Sequence, residues 1–229
     1  MSKKKPQAKH AQERTVANPS QKTTPPSFKG WEWLRNTHKL SLFLFAFGAL
    51  LYANTLGHDY AQDDAIVITD NMFTTQGMKG IPGLFTYDTF FGFFKVEGKA
   101  KLVSGGRYRP LTPAMFAVEY ALFGDKPGVM HFFNALWYGL TVVVLYQVLL
   151  LLFGQRAAWD DRLKNSAAIY WIPLLATLVF AAHPLHTEAV ANIKGRDEII
   201  TLLGSLAALG LLLKGRLPHL VGAGVCFFL

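Results

Sequence analysis

Four apolar segments, each close to the length of a membrane span, limit the folds that this chain can adopt. They cover about residues 40–56, 129–153, 167–182 and 199–213. A helix crosses the hydrocarbon core of a bilayer with about 20 residues, or about 17 at the short end. The second segment reaches this length easily, whereas the other three need their polar flanks to extend to the lipid headgroups. The sequence therefore predicts an all-α, polytopic transmembrane helical bundle.

A fifth apolar run begins at Leu217 and is too short to cross a bilayer, yet it is still apolar at the last residue, Leu229. It predicts a truncated fifth span, so that residues 31–229 form the N-terminal part of a larger transmembrane domain. The composition agrees with a membrane protein, because 51% of the residues are hydrophobic and 18 of them are Phe. Cys226 is the only cysteine, which excludes a disulfide framework.

Residues 1–30 are predicted to form a disordered cytoplasmic tail, because they are basic and rich in Gln, Pro, Ser and Thr. The tail carries much of the net charge of +8. A basic tail can bind nucleic acid, but no nucleic-acid-binding module and no interleaved aromatic residues accompany this one. We therefore expect no nucleic-acid partner.

The distribution of basic residues predicts the orientation of the bundle, because Lys and Arg in short loops mark the cytoplasmic side. The N-terminal tail, the 154–166 loop and the turn after the fourth segment are all basic. The N-terminus is therefore expected in the cytoplasm, and the 57–128 and 183–198 loops on the external face. Lys194 and Arg196 oppose the placement of the second of these loops.

The 57–128 loop is too long to lack structure of its own. Its Phe-rich stretch at 85–94 and the helical spacing of apolar residues over 111–123 predict short helices that lie at the membrane surface. Packing of these Phe side chains against the spans is an equally good interpretation. Pro110 marks the start of the second helix, since proline is tolerated in a first helical turn.

Polar and ionisable residues collect on the predicted external side. Two adjacent carboxylates, Asp63 and Asp64, follow the first segment. The others come from the long loop, the start of the second segment and the 183–198 loop; they are Arg107, Arg109, His131, Asn134, His183, His186, Glu188, Arg196 and Asp197. Because the predicted topology puts all of them on one side, they predict one polar site at the membrane surface.

Three motifs, in this order along the chain, resemble the GT-C glycosyltransferases. They are the Asp63-Asp64 pair, RYRPLT at 107–112 and HPLHTEAVANIKGRDE at 183–198. The third is similar to a segment of the transmembrane and tetratricopeptide-repeat (TMTC-type) proteins, which are relatives of the protein O-mannosyltransferases. The resemblance covers about residues 40–215.

The resemblance implies a polytopic helical bundle whose first external loop carries an acidic motif. It also implies a sugar donor linked to polyprenyl or dolichyl phosphate and an acceptor hydroxyl on a protein. The expected function is therefore a membrane glycosyltransferase that transfers the sugar with inversion. Tetratricopeptide repeats, with their period of about 34 residues, are also expected from the resemblance, but the sequence shows no such period.

The resemblance assigns to Asp63 or Asp64 the role of a general base that deprotonates the acceptor hydroxyl. A partly desolvated carboxylate beside a like charge binds protons more readily than an isolated one, which suits this task. The interpretation favours Asp63 as the base and Asp64 as an orienting residue or a divalent-cation ligand. A pair that only stabilises a turn is the alternative.

Arg107, Arg109 and Arg196 are the candidates for contact with the donor phosphate. A guanidinium group matches phosphate geometry, and its attraction grows as the leaving group gains charge. Contact with lipid headgroups is the alternative for the first two. An ion-pair network of Arg196 with Glu188 and Asp197 is the alternative for the third.

His183 and His186 are three residues apart, whereas the zinc-hydrolase motif needs two His four apart. We therefore predict no metal site, although a divalent cation at Asp64 stays open. The two histidines are expected to orient a carboxylate or phosphate, or to close the external end of the third helix. His131 and Asn134 are costly near hydrocarbon, which predicts that they line the site or bond between helices.

Two rival functions fit a bundle of this kind. One is a membrane scaffold without chemistry, and the other is a transporter in which Asp63 and Asp64 bind an ion. Transporters usually carry ionisable groups within their spans. The third and fourth segments have none, which favours chemistry at the membrane surface.

Overall fold

A computed structural model describes residues 32–61, 63–96, 108–160, 163 and 166–228. The basic tail and Arg107 lie outside the described residues, so nothing is added to their predicted roles. Every regular element in the described ranges is a helix. The prediction of an all-α fold is confirmed.

The helices follow one another with short connections. In the described part of the chain the α-helices are α1 Thr37–Leu50, α2 Asp64–Val67, α3 Ile81–Thr86, α4 Thr89–Phe94, α5 Leu111–Phe123, α6 Pro127–Ala157, α7 Ala168–Ala181, α8 His186–Ala191, α9 Arg196–Lys214 and α10 Leu217–Phe228. Short 3₁₀ helices cover Glu32–Arg35, Ala53–Gly57, Thr74–Gly80 and Ile193–Gly195.

Helix α6 is the central element, with α1, α7 and α9 packed along it. Small residues allow α1 to approach it closely: a Cβ atom added to Gly48 would lie 3.2 Å from the Cα atom of Gly139. Around this contact Leu44, Tyr138 and Val142 form part of a buried apolar core. The start of α6, which carries the polar residues of interest, is thereby held by apolar packing further along the helix.

By length and composition α6, with 31 residues, is long and apolar enough to cross a membrane. Helices α1, α5, α7 and α10 are apolar but shorter. The prediction of a first span over residues 40–56 was wrong at its end, because α1 stops at Leu50 and the chain turns into a 3₁₀ helix. There the Thr55 hydroxyl donates to the Tyr52 carbonyl, 2.7 Å away, which stabilises the turn.

The long loop contains several short helices, as predicted, and α5 has the predicted bounds. Its aromatic residues largely contact one another: the Tyr87 and Phe91 rings stack with centroids 4.4 Å apart. Asn71 is completely buried. Its side-chain amide donates to the carbonyls of Ile66 and Thr89, at 3.0 and 3.3 Å. These bonds join the end of α2 to the start of α4, and they hold in place the part of the long loop that follows Asp63 and Asp64.

Candidate functional site

Asp64 joins the long loop to the segment that precedes α9. Its side chain is buried, with 1% of the residue exposed. One carboxylate oxygen, Oδ1, accepts from the backbone N–H of Lys194 at 2.8 Å, and Oδ2 accepts from that of Ala61 at 2.9 Å. Burial raises the pKa of the Asp64 carboxyl, and the two backbone hydrogen bonds oppose this shift. With both oxygens engaged, Asp64 is placed to orient the loop.

Asp63 is the accessible member of the pair. Its side chain is 52% exposed, and its Oδ2 atom lies 2.7 Å from the ammonium of Lys194. Lys194 therefore contacts both adjacent carboxylates, one through its backbone and one through its side chain. From the sequence, Lys194 was interpreted only as a charge that opposes the predicted topology. The signal that could have identified Lys194 was its place between Glu188 and Asp197, inside the segment HPLHTEAVANIKGRDE.

Arg109 and Asp197 form a second ion pair next to the first. The Arg109 guanidinium donates to Asp197 Oδ2 at 2.5 Å, and the two side chains are 48% and 14% exposed. This pair links the turn before α5 to the first turn of α9. Residues 194–197, hereafter the 194–197 segment, thus contact both Asp63 and Arg109. The two predicted motif residues lie on one side of the fold.

Arg196 has a different environment from Arg109, because it is completely buried. Its guanidinium donates to Asn134 Oδ1 at 2.6 Å and to the Met130 carbonyl at 3.0 Å, and it forms an ion pair with Glu119. Its Cζ atom also lies 4.3 Å from the centroid of the Phe116 ring. A guanidinium enclosed in this way cannot reach a phosphate in solvent. The geometry argues against the predicted phosphate contact of Arg196.

Glu119 is the residue that the sequence analysis missed. The alternative network of Arg196 with Glu188 and Asp197 is also not what forms, since Arg196 pairs with Glu119 and Asp197 pairs with Arg109. Burial raises the pKa of Glu119, and the charge of Arg196 opposes that shift. A lone acid in the apolar stretch that becomes α5 was the available signal, because such a residue needs a buried partner.

Asn134 joins the start of α6 to the turn before the 194–197 segment. Its side-chain amide lies 3.4, 3.2 and 3.1 Å from the carbonyl oxygens of Val190, Asn192 and Ile193. Asn134 was predicted either to line the site or to form hydrogen bonds between helices. The structure shows hydrogen bonds from α6 to the segment at residues 190–193. His131, one turn earlier on the same helix, is also buried.

His183, His186 and Glu188 take no part in the two ion pairs. His183 Nδ1 accepts from the backbone N–H of Leu185 at 3.3 Å, which closes the turn after α7. The His186 ring packs on Phe180, with centroids 4.2 Å apart, and burial lowers its pKa. Glu188 is exposed and lines an open cleft of about 510 Å³. Within the described ranges no hydrogen bond or ion pair joins these three residues to Asp63, Asp64 or Arg109.

Three cavities around the ion pairs share lining residues. An apolar groove of about 760 Å³ lies between α5, α6, α9 and α10. It shares Leu111, Ile200 and Thr201 with a cleft of about 430 Å³ that is also lined by Arg109 and Asp197. That cleft in turn adjoins a cavity of about 20 Å³, which Lys194 and Arg109 both line. The apolar groove therefore adjoins the cleft that Arg109 lines, and that cleft adjoins the small cavity that Lys194 lines.

We expect Gly195→Ala to destabilise the protein by about 1–3 kcal/mol, as overpacking usually does. An added Cβ atom would lie 2.4 Å from the Ala189 carbonyl oxygen, a contact with rigid backbone. Gly154→Ala is the control, because that helical position has nothing within 4 Å and should be neutral or slightly stabilising. Thermal unfolding of the two variants tests this. Equal midpoints would contradict the tight packing of the 194–197 segment.

No family model matches the chain, and no solved structure matches it significantly. A protein O-mannosyl-transferase of Caenorhabditis elegans is 31% identical over 175 residues, which are 76% of this chain and 23% of the relative. Protein O-mannosyl-transferase tmtc2 of Xenopus laevis is 32% identical, over 67% of this chain and 16% of its own. Human protein O-mannosyl-transferase TMTC1 is 31% identical, over 69% of this chain and 16% of the relative.

The matched region is thus most of this chain but less than a quarter of each of these relatives. Proteins of this name from a worm, a frog and a human match at similar identity. The chain is therefore a relative of the TMTC-type protein O-mannosyl-transferases, which confirms the resemblance drawn from its motifs.

Proposed function

We propose that this protein is a membrane glycosyltransferase that moves a sugar from a polyprenyl-phosphate donor to a hydroxyl group of an acceptor protein. The observation that carries the proposal is the meeting of Asp63 and Arg109 at the 194–197 segment. The names of the relatives support the transfer of a sugar to protein. In this proposal the described helices belong to a polytopic bundle with a cytoplasmic basic tail, residues 1–30. The site lies in the transmembrane domain, residues 31–229, on the external face.

The donor would lie along the apolar groove. Its prenyl chain would contact side chains such as Leu111, Trp137 and Leu203, which line the groove. Its phosphate would then reach Arg109 in the adjoining cleft. Burial of apolar surface favours a lipid chain here by about 25 cal/mol per Å², and the guanidinium supplies charge-assisted hydrogen bonds to the phosphate. Arg107 precedes Arg109 by two residues and keeps its predicted role in phosphate binding.

Asp63 would serve as the general base. The acceptor oxygen attacks the anomeric carbon while its proton passes to the Asp63 carboxylate, and the bond from that carbon to the phosphate oxygen breaks. The leaving group is the polyprenyl phosphate, and a single displacement inverts the anomeric centre. Asp64, held by two backbone N–H groups, would position its neighbour. The cleft lined by Ala61 and Glu188 provides space for the acceptor.

A scaffold without chemistry is the second candidate, and one observation favours it. Two carboxylates at the 194–197 segment are already paired with cations, Asp63 with Lys194 and Asp197 with Arg109. Such pairs could simply connect the loops. The two functions differ in whether any sugar is transferred.

The test is an assay of the intact protein in membranes with a synthetic acceptor polypeptide. A mannose-charged polyprenyl phosphate and a nucleotide-linked mannose are supplied separately, and the anomeric configuration of the product is determined. We expect transfer from the lipid-linked donor only, with inversion. Absence of transfer from either donor would support the scaffold, and transfer from the nucleotide sugar alone would overturn the proposed donor class.

We expect Arg109→Gln to raise the KM for the lipid-linked donor by roughly ten- to a hundredfold. A hydrogen bond to a charged group contributes about 1.5–3 kcal/mol, and every 1.4 kcal/mol is about tenfold in affinity. Arg156→Gln is the matched control, because Arg156 is an exposed arginine in the last turn of α6, and the site residues lie near the start of that helix. An unchanged donor KM in Arg109→Gln would remove Arg109 from the phosphate site.

A further inference from the structure

We infer that Lys194 is a second ligand of the donor phosphate and that, until the donor binds, its ammonium holds the general base Asp63. This inference rests on the proposed function and adds to it a binding residue and an order of events. Two observations carry it: the ion pair of Lys194 with Asp63, and the small cavity that Lys194 and Arg109 both line.

The backbone of Lys194 is fixed, whereas its side chain has freedom. Its N–H donates to the buried Asp64 carboxylate at 2.8 Å, and the neighbouring Gly195 is packed tightly against Ala189. The ammonium stands on a flexible stem of four carbons. A small rotation of that stem can move the charge from Asp63 towards Arg109 without any movement of the main chain.

Among the described residues, the cations that line the cavities in this region are Arg109 and Lys194. Arg196, the third cation nearby, is completely buried and paired with Glu119. Arg109 and Lys194 line the same cavity of about 20 Å³, a volume that holds about one water molecule. A phosphate at Arg109 in the adjoining 430 Å³ cleft would therefore be next to the Lys194 side chain.

The Lys194–Asp63 pair is suited to exchange. The Asp63 side chain is 52% exposed and the Lys194 side chain is 19% exposed, and an ion pair that solvent reaches contributes little to stability. A phosphate held by Arg109 competes for the ammonium at low cost. Once the ammonium leaves, the Asp63 Oδ2 atom that it contacted is open to the acceptor hydroxyl.

The same movement favours the bond-breaking step. As the bond between the anomeric carbon and the phosphate oxygen breaks, negative charge accumulates on the phosphate. A cation beside that oxygen stabilises the developing charge. Lys194 thus makes the base available only after the donor has arrived, which prevents reaction of the base in the absence of a donor.

The experiment measures binding of a long-chain polyprenyl phosphate to the intact protein in detergent micelles, with the uncharged prenol of the same length as the comparison. We expect Lys194→Gln to weaken phosphate binding by roughly tenfold, and Lys194→Arg to retain most of it. Lys79→Gln, at an exposed lysine of the same long loop, should have no effect. Prenol binding should be the same in all variants.

The decisive variant is Asp63→Asn, which removes the competitor for the ammonium. It should tighten binding of the polyprenyl phosphate by a few-fold, and this gain should disappear in the Lys194→Gln/Asp63→Asn double variant. A purely structural Lys194 would not produce a gain that depends on both residues. Unchanged binding in Lys194→Gln, or no gain in Asp63→Asn, would overturn the inference.

Two outcomes separate this inference from the proposed function. If Arg109→Gln weakens binding but Lys194→Gln does not, the donor site stands and the role of Lys194 is wrong. If the wild-type protein binds the polyprenyl phosphate no better than the prenol, the donor class itself is wrong and both proposals fall.

Discussion

Replacing Asp63 with Asn should reduce sugar transfer by about two to four orders of magnitude, the usual contribution of a positioned general base. The amide has nearly the same shape but cannot take the proton of the acceptor hydroxyl. Stability should change little, because the Asp63 side chain is half exposed and its one ion pair is of the weak surface type. The loss should therefore appear in kcat, measured with saturating lipid-linked donor.

Two variants of the same loop make this result specific. Asp70→Asn removes an identical charge at an exposed position and should leave the rate unchanged. Asp64→Asn should lower the thermal unfolding midpoint, because an amide NH₂ group would face one of the backbone N–H donors of Ala61 or Lys194. Full activity of Asp63→Asn would remove the proposed mechanism. Equal destabilisation by the Asp63 and Asp64 variants would contradict their different burial.

The helical fold was predictable because apolar periodicity reports the backbone directly. The bounds of α5 are those predicted, and α7, Ala168–Ala181, lies within one residue of the predicted segment at each end. The first segment was predicted too long, because apolar composition continues past Leu50 where the backbone has already turned. Hydropathy indicates whether a segment is apolar. It does not show where the helix ends, which here depends on a local turn that the Thr55 hydroxyl stabilises by its hydrogen bond to the Tyr52 carbonyl.

The candidate site was predictable in its motifs but not in its pairs. Asp63, Asp64 and Arg109 were identified from their place in the chain, and each contacts the 194–197 segment. Which residue of that segment meets which partner depends on distances across more than 80 positions, since Arg109 and Asp197 are 88 apart in sequence. Residue type alone makes Lys194 and Arg196 look equivalent. Their burial distinguishes them: the Lys194 side chain is 19% exposed, whereas that of Arg196 is completely buried.

The buried cation Arg196 and the partly exposed cation Lys194 both belong to the 194–197 segment, and their contacts depend on each other. The Asn134 side-chain amide donates to the Ile193 carbonyl, just before the 194–197 segment. Arg196, inside that segment, donates in turn to the Asn134 side-chain oxygen. These contacts place the Lys194 N–H against Asp64. The buried ion pair of Arg196 with Glu119 therefore fixes the surface pair of Lys194 with Asp63, although neither buried residue is accessible to a substrate.

Arg196→Met should destabilise the protein by about 3–5 kcal/mol, the usual cost of removing one partner of a buried ion pair. The variant leaves Glu119 buried without its cation, and it removes the donors to Asn134 and to the Met130 carbonyl. It also removes the contact of the guanidinium with the Phe116 ring. The measurement is the thermal unfolding midpoint in detergent, together with hydrogen exchange of the Lys194 amide.

The double variant Arg196→Met/Glu119→Gln distinguishes a missing charge partner from a missing side chain. It should recover a large part of the lost stability, because a neutral amide is less costly to bury than an unpaired carboxylate. The Lys194 amide should remain less protected than in the wild type, since Asn134 still lacks its Arg196 donor. If the double variant is as unstable as Arg196→Met, the cost comes from packing and not from the buried charge of Glu119. If Arg196→Met is as stable as the wild type, the buried pair does not position the 194–197 segment.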